Sequence, residues 1–360
     1  MRYLDEFRRK DLARAWLDAI RCLGVRARLM EVCGTHTMAI SRNGLRPLLA
    51  PLVDLVSGPG CPVCVTDDAD IDRALAVALL PDVIMVTFGD MMRVPGSMGT
   101  LADAATRGAR VQVAYSPMEA LQAARREPQS RVVFLGVGFE TTAPAVAAAF
   151  LAARKEGLDN LFLLCLHKLV PPALRALAET EGLEVDGFLL PGHVSSVIGS
   201  EAYSFLPRDY GIPCVVAGFE TLDILAAIHR LLMMQGGKAS LEVEYSRAVR
   251  PQGNRKAVET MYAVMRVCDA AWRGLGVIEG SGLALRDEWA EFDAGRWEVE
   301  LPDSRPSRGC RCGDVLTGRI KPAGCPLFAV TCNPDHPVGP CMVSSEGTCA
   351  SYYLYEGERN

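Results

Sequence analysis

Two short cysteine motifs near the N-terminus contain residue types that can carry out redox or metal chemistry. The first, Cys-Gly-Thr-His at residues 33–36, comes directly after an apolar run at 27–32. A thiol at the end of a strand lies at the edge of a sheet, and a histidine three residues later can donate a proton, bind a metal or favour the thiolate. Cys33 and His36 are therefore candidate site residues; the alternative is a buried cysteine beside a hydrogen-bonded histidine.

The second motif, Gly-Pro-Gly-Cys-Pro-Val-Cys at residues 58–64, separates Cys61 from Cys64 by two residues. In a chain of alternating strands and helices this spacing predicts a redox dithiol. The flanking glycines let a partner approach closely, and a helix beginning near Cys64 is expected to lower the thiol pKa. The alternative is one half of a zinc site, with Cys33 and His36 as the other half.

The C-terminal segment is the richest in cysteine. Thiolates bind soft metals, and four of them can hold Zn²⁺ or a [4Fe–4S] cluster. Zinc modules usually place their ligands in close pairs, whereas the intervals from residue 325 onward are six, eight and seven residues, which favours the cluster. We predict [4Fe–4S] ligands at Cys325, Cys332, Cys341 and Cys349, with Cys312 as a reserve candidate and Cys310 as a bystander.

A third motif, Gly-Phe-Glu-Thr-Thr at residues 138–142, lies between a predicted strand and a predicted helix. Its Glu140 can orient a ligand or a thiol partner. The Gly-Val-Gly at 136–138 lacks the third glycine of a dinucleotide-binding loop, so that signal is weak. His193 and Glu220 follow comparable strand ends, where a structural role and a functional one are equally open.

Short apolar runs separated by helical segments predict the fold that positions these residues. This alternation indicates mainly parallel sheets covered by helices on both faces. The predicted fold class is α/β, with two similar Rossmann-like lobes facing a cleft and a C-terminal cysteine-rich iron–sulfur domain. Ligands of open parallel sheets bind at the carboxyl ends of the strands. The predicted strands are Ala27–Val32, Val53–Ser57, Val83–Thr87, Val111–Ala114, Val132–Val137, Leu161–Leu166, Gly187–Leu190 and Cys214–Ala217.

The two sets of four strands resemble copies of one unit. Cys33 to Cys61 and Cys165 to His193 both span 28 residues, and each pair joins a strand ending in cysteine to a Pro-Gly turn. Within the N-terminal segment a helix is predicted over 3–23, and residues 254–275 are also expected to be helical. The predicted domains are 1–24, an N-terminal helix packing on the C-terminal domain; 25–122, the first lobe with the Cys33 and Cys61/Cys64 motifs; 123–245, the second lobe; and 246–360, a helical and cysteine-rich [4Fe–4S] domain.

Composition and charge narrow the class of protein. The net charge is −5 and no basic run stands out, which argues against nucleic-acid binding. Charged residues or proline interrupt each apolar stretch before the roughly 18 residues that a membrane span needs. The N-terminus lacks the apolar core of a secretory signal. We therefore expect a cytoplasmic protein, whose cysteines bind metal or do redox work rather than form structural disulfides.

In combination, these motifs resemble the HypD family of [NiFe]-hydrogenase maturation proteins. The segments 33–36, 58–64 and 138–142 are similar to three signatures of that family, and 339–349 is similar to its C-terminal cluster region. The resemblance runs over nearly the whole chain.

The resemblance implies a scaffold on which the Fe(CN)2CO unit of [NiFe]-hydrogenase is assembled, rather than a conventional turnover enzyme. It implies a HypC-type chaperone as partner and a HypE-type protein as transient cyanide donor. Cys33 would anchor the iron together with a cysteine of the chaperone, and Cys61 and Cys64 would exchange two electrons with the [4Fe–4S] cluster. His36 and Glu140 would manage protons or orient ligands. Two alternatives are a cluster-fed thiol–disulfide oxidoreductase, which leaves Cys33 without a task, and a zinc-stabilised binding protein without redox work.

Overall fold

The computed structural model describes residues 9–301 and 309–357. Among these residues no helix combines the length and the apolar character needed to cross a bilayer. The helices of the described ranges, numbered α1 to α15 along the chain, are Lys10–Leu23, Gly34–Arg42, Leu45–Leu49, Pro62–Val65, Asp68–Ala78, Leu101–Thr106, Pro117–Arg126, Ala143–Glu156, Val170–Ala178, Gly192–Ile198, Phe205–Asp209, Thr221–Met233, Arg255–Val264, Cys312–Leu316 and Thr348–Tyr355.

The eight predicted strands all form, each to within one residue at either end. All are largely buried except Arg110–Val113, which is half-exposed. Every residue of Val83–Thr87, Gly187–Pro191 and Cys214–Ala217 is buried, which is why these strands are unbroken apolar runs in the sequence. Three further strands, β9 to β11, were not predicted. The strands, numbered β1 to β11, are Ala27–Glu31, Val53–Ser57, Val83–Thr87, Arg110–Val113, Arg131–Gly136, Leu161–Cys165, Gly187–Pro191, Cys214–Ala217, Leu241–Val243, Met265–Trp272 and Gly276–Leu285.

The described strands form two parallel sheets, one in each of two lobes, and a separate hairpin. Lobe one has the order β2-β1-β7-β8-β9, and lobe two has the order β4-β3-β5-β6. All neighbours within the two sheets are parallel, so the carboxyl ends of the strands of each sheet share one edge. This confirms the predicted α/β class with two lobes and mainly parallel sheets.

The predicted boundary between residues 122 and 123 does not separate the two lobes. The chain leaves lobe one after β2, builds all four strands of lobe two, and returns to lobe one at β7. Consecutive strands are usually neighbours in one sheet, and this chain departs from that tendency. Here β1 pairs with β7 on its second side, with Leu29 opposite Gly187. Each lobe therefore contains strands from both halves of the chain.

The strand orders support an internal duplication in which the two copies exchange halves. Exchanging β1–β4 with β5–β8 converts the order β2-β1-β7-β8 into β6-β5-β3-β4, which is lobe two read backwards. The register agrees, because Phe188 pairs with Cys214 and Ile84 with Arg110, each 26 residues onward. The loop after β1 then corresponds to the loop after β5, which carries Glu140. The sequence motifs aligned Cys33, which follows β1, with Cys165, which is the last residue of β6. The strand orders match β1 with β5 instead, so the motif alignment is wrong by one strand.

Two predictions outside the sheets also need correction. The amphipathic helix α1 lies with Leu17 and Ile20 against α12 of lobe one, not on the C-terminal domain, because its apolar face continues the lobe-one core. Residues 3–8 of that predicted helix lie outside the described residues. The predicted helix over 254–275 ends at Val264, where α13 gives way to the antiparallel hairpin β10–β11. Between its buried ends, Met265 and Trp272, β10 is exposed or half-buried.

Arg46, in α3, fastens the C-terminal helix α15 to lobe one. Its guanidinium pairs with the fully buried carboxylate of Glu31 and donates to Glu356 at 2.9 Å and to the Leu55 carbonyl at 2.7 Å. The same group lies 4.7 Å above the ring centroid of Tyr352. Because α15 carries the last cysteine of the tail, this network holds the cysteine-rich segment against the edge of lobe one.

Candidate functional site: a line of thiols from a strand end to the tail

The two N-terminal cysteine motifs touch each other at the carboxyl edge of lobe one. Cys33 follows β1 by two residues and is the N-cap of α2, and the loop after β2 runs directly alongside it. The Gly34 amide donates to the Gly60 carbonyl at 2.9 Å. A Cβ on Gly60 would lie 2.3 Å from the Cys33 nitrogen, so only glycine permits this approach. The sheet therefore brings Cys33 next to the loop that carries Cys61.

Cys33 is buried, and its side chain is a protonated, neutral thiol at pH 7. Burial, followed by the negative charge of Glu346, raises the pKa of Cys33 to about 11. Glu346 comes from the tail and accepts a hydrogen bond from Thr35 Oγ1 at 2.7 Å. A Cβ on Gly34 would also lie 2.6 Å from the Glu346 carbonyl oxygen. Sequence reasoning missed Glu346, although an acidic residue between two tail cysteines was a signal worth following.

His36 is fully buried and held in one tautomer. Its Nε2 lies 2.9 Å from the Gly218 carbonyl, so Nε2 carries the proton and Nδ1 the lone pair. Nδ1 is buried and has no hydrogen-bond partner among the described residues. Burial lowers the pKa of His36 to about 4, so the ring is neutral at pH 7. Its ring stacks on Phe219 at 4.6 Å, and the exposed His193 stacks on Phe219 at 3.8 Å.

A group of charged side chains around the buried Asp223 supports the segment that holds His36. Glu244 accepts from the Gly218 amide at 3.1 Å, and the carboxylate of Asp223 contacts both Arg247 and the amide of Glu220. Burial and the nearby Asp223 raise the pKa of Glu244 to about 7. Glu220, a candidate from its strand-end position, caps α12. Several of these contacts join residues that are distant in sequence, so local sequence patterns could not predict them.

The dithiol motif forms the short helix α4, with Cys61 at its N-cap. The Cys64 amide donates to Cys61 Sγ at 3.3 Å, and the two thiols also contact each other. The expected lowering of the pKa by a helix N-terminus does not occur at Cys64. Burial raises its pKa well above the usual thiol value, while contact with Cys341 acts in the opposite direction. Desolvation of a fully buried thiol outweighs the dipole of so short a helix.

Cys341 links the dithiol to the tail. Its Sγ lies 2.8 Å from Cys312 Sγ and also contacts the thiols of Cys64 and Cys349. A continuous line of sulfur contacts therefore runs from Cys61 through Cys64 and Cys341 to Cys312. This line crosses from the edge of lobe one, beside Cys33, into the cysteine-rich segment.

All six tail cysteines line one small cavity. The remaining lining is largely apolar and includes Val315, Leu327, Phe328 and Met342. Donors that are all sulfur, in an apolar surrounding, fit the chemistry of an iron–sulfur cluster. Within the described ranges no three His, Cys, Asp or Glu side chains form a group suited to a single metal ion. The cysteines that line the cavity are Cys310, Cys312, Cys325, Cys332, Cys341 and Cys349.

Glu140 follows β5 in lobe two and is buried. Its Oε1 accepts from the Val170 amide at 3.0 Å, and its Oε2 has no partner among the described residues. Burial raises the pKa of Glu140 to about 7. Burial and then Glu140, with a smaller contribution from Cys33, raise the pKa of Tyr203 well above its usual value. Tyr203 is therefore within electrostatic range of both motifs.

Comparison with known proteins identifies the family. The HypD family model, described as the hydrogenase formation hypA family, matches residues 11–356. Hydrogenase maturation factor HypD of Rhodobacter capsulatus is 44% identical, over 100% of this chain and 99% of that protein. The factor of Escherichia coli K12 is 43% identical over 100% of both chains, and that of Azotobacter vinelandii is 43% identical over 100% of this chain and 98% of its own length. These matches span both lobes and the tail, and the chain belongs to the HypD family of hydrogenase maturation factors.

Proposed function

We propose that this protein is the scaffold on which the Fe(CN)2CO unit of [NiFe]-hydrogenase is assembled, with a HypC-type chaperone as partner. The observation that carries the proposal is the line of thiols. Cys33 stands at a strand end beside the Cys61 loop, and Cys64 contacts Cys341 of the tail. One thiol able to anchor iron is thus next to a dithiol able to deliver electrons.

Cys33 is the proposed anchor for the iron, which is cargo and not a resident cofactor. With a pKa of about 11 the free side chain is a neutral thiol, so binding of iron has to displace its proton. His36, with a pKa of about 4, is a poor proton acceptor and is better suited to orienting ligands through its fixed ring. Glu140, with a pKa of about 7, is the better proton carrier near neutral pH.

Cys61 and Cys64 are the proposed two-electron store. When the pair closes to a disulfide it releases two electrons and two protons. Release of cyanide as an anion from a sulfur-bound donor takes up two electrons and one proton at that sulfur. The two half-reactions match in electrons, and Glu140 or solvent takes the remaining proton. A HypE-type protein is the proposed transient donor of the cyanide group.

A [4Fe–4S] cluster held by four of the six tail thiols is the proposed source of electrons for re-reducing the dithiol. The proposed ligands are Cys325, Cys332, Cys341 and Cys349, with Cys312 as the reserve candidate. Cys341 contacts Cys349 as well as Cys312 and Cys64, which is compatible with this set. Anaerobic iron and sulfide analysis of Cys310→Ser, Cys312→Ser and Cys341→Ser tests the choice. Loss of iron in Cys341→Ser alone supports it, loss in Cys312→Ser alone exchanges Cys341 for the reserve candidate, and loss in Cys310→Ser contradicts the interpretation of Cys310 as a bystander.

The proposed docking surface for the chaperone is a groove of about 770 Å³ between α1, α2 and the start of α12. Its lining includes the apolar side chains of Met38, Leu48 and Leu222, and also Thr35, two residues from Cys33. A partner seated here can bring its own cysteine to Cys33. We place this assembly in the cytoplasm, where the many unpaired thiols would stay reduced.

The test is Cys33→Ala in cells that need this protein to mature a hydrogenase. We expect loss of hydrogenase activity while the tail keeps its full iron and sulfide. Cys214→Ala, which removes an equally buried thiol in lobe one, is the matched control and should retain activity. Normal maturation by Cys33→Ala would refute the scaffold. If that variant also shows cluster-dependent disulfide reduction through Cys61 and Cys64, the thiol–disulfide oxidoreductase replaces it; the contact of Cys64 with Cys341 is compatible with both.

A further inference from the structure

Arg273 is a buried cation with one guanidinium nitrogen, Nη2, that makes no hydrogen bond within the described residues. It lies in the turn between β10 and β11, and its side chain is 9% exposed. Nη1 donates to Asp68 Oδ1 at 2.6 Å and Nε to the Thr66 carbonyl at 2.9 Å. Nη2 is buried and has no hydrogen-bond partner among the described residues. A buried charged donor without an acceptor is costly, so its retention calls for a physical reason.

The backbone around Arg273 joins the dithiol helix to the first helix of the tail. The Arg273 amide donates to the Val65 carbonyl at 2.9 Å, at the end of α4. On the other side, a Cβ on Gly274 would lie 2.2 Å from the Cα of Gly313, the second residue of α14. The turn therefore sits between the helix that contains Cys64 and the helix that begins at Cys312.

The charge of Arg273 lies close to the tail cavity. The contact between Gly274 and Gly313 places the residue after Arg273 against the residue after Cys312, and Cys312 lines the cavity together with Cys310. Arg273 and Cys312 are both buried, so water and salt screen the interaction between them only weakly.

We propose that Arg273 is a tuning residue that raises the reduction potential of the iron–sulfur centre in the tail. This inference rests on the proposed function, because it requires the cluster. One-electron reduction adds negative charge to the centre, and a nearby buried cation stabilises the reduced form. A hydrogen bond from Nη2 to a sulfur of the centre would act in the same direction. Arg273 itself supplies no ligand and no electron.

The test is a redox titration of the purified protein under anaerobic conditions, with the reduced centre followed by electron paramagnetic resonance. Arg273→Gln keeps amide donors but removes the charge. We expect the equilibrium constant for reduction of the centre to fall at least tenfold in Arg273→Gln. For a one-electron couple this lowers the midpoint potential by about 59 mV. Asp68→Asn removes the neighbouring negative charge instead and should move the potential upward or leave it unchanged. Arg273→Lys keeps the charge and should stay closer to the wild type.

Lys168→Met is the matched control. Lys168 is also buried and packs near the same hairpin, but it pairs with Asp70 and donates to the Ala271 carbonyl. Its loss should leave the potential unchanged. An unchanged potential in Arg273→Gln at full iron and sulfide would overturn the inference, as would an equal fall in Lys168→Met. If Arg273→Gln does not fold, Arg273→Lys provides the test. Because lysine keeps the positive charge, a tenfold fall in the equilibrium constant for reduction in this variant would refute the charge argument. Wild-type protein without iron and sulfide would refute the proposed function itself.

Discussion

Gly60 is the point at which the two N-terminal thiol motifs meet, so its replacement by alanine tests whether that contact matters. A Cβ on Gly60 would lie 2.3 Å from the Cys33 nitrogen and 2.5 Å from its Cα, whereas ordinary contact begins at 3.4 Å. These neighbours are backbone atoms of a strand end, which cannot rotate away. Cys33 and the Cys61 loop must therefore separate by about 1 Å in Gly60→Ala.

Two magnitudes follow from this displacement. Overpacking of this kind costs about 1–3 kcal/mol in the free energy of unfolding. Misplacing a reacting group by about 1 Å can lower a rate by about 100-fold. We therefore predict that Gly60→Ala remains folded and keeps its tail iron and sulfide, while it forms the iron-bound cyanide product about 100-fold more slowly.

Urea unfolding measures the first effect, and the growth of infrared cyanide bands in the anaerobic complex with the chaperone measures the second. Gly237→Ala is the control, because the nearest atom to its new Cβ is the Met234 carbonyl at 3.5 Å, an ordinary contact. If Gly60→Ala matches the wild type in both assays, the contact between the two motifs has no functional importance, and the reasoning is wrong.

Three further predictions concern the groups around this site. Glu140 has a pKa of about 7 in the folded protein against 4.5 in the unfolded chain, so the free energy of unfolding should fall as the pH rises from 4.5 to 7. Glu140→Gln should remove that fall, which amounts to up to about 3 kcal/mol, when urea unfolding at pH 5 is compared with pH 8. An equal pH dependence in the wild type and the variant would contradict this. Arg46→Met leaves a fully buried carboxylate unpaired and should lower the free energy of unfolding by about 3–5 kcal/mol with loss of tail iron, whereas an unchanged urea midpoint would argue against the network. Glu244→Ala removes the acceptor of the amide of Gly218, whose carbonyl binds His36, and should shift the imidazole nitrogen resonances of His36 in NMR spectra. The control Glu242→Ala, at a partly exposed side chain, should not shift them. Identical spectra for both variants would show that Glu244 does not position the ring.

The sequence was sufficient to predict eight of the nine described strands of the two parallel sheets, because most of them are buried on both faces and stand out as apolar runs. The edge strand β9 of lobe one escaped because it has only three residues, all half-buried. The hairpin β10–β11 escaped because its half-exposed strands continue directly from α13 and include charged residues such as Arg266 and Asp269. The distribution of strands between lobes escaped as well. Local pattern records where a strand begins and ends, but not which strand pairs with it across more than 150 residues, as β1 does with β7.

The candidate site divides in the same way. The thiols were found because cysteine spacing is a local property and parallel strands bring their carboxyl ends together. Their environment was not found, since it is built by distant segments. Glu346 reaches Thr35, and the Gly218 carbonyl fixes the tautomer of His36. The contact between Cys341 and Cys64 likewise depends on how the tail folds back onto lobe one.

The central claim is that Cys33 anchors iron carrying cyanide and carbon monoxide, and infrared spectroscopy tests it most directly. The protein is to be isolated without oxygen together with the proposed HypC-type chaperone. Few protein groups absorb where metal-bound cyanide and carbon monoxide do. The account predicts bands in that window that disappear in Cys33→Ala while the tail retains its iron and sulfide. A silent spectrum from a complex with full iron and sulfide, or bands that persist in Cys33→Ala, would contradict it.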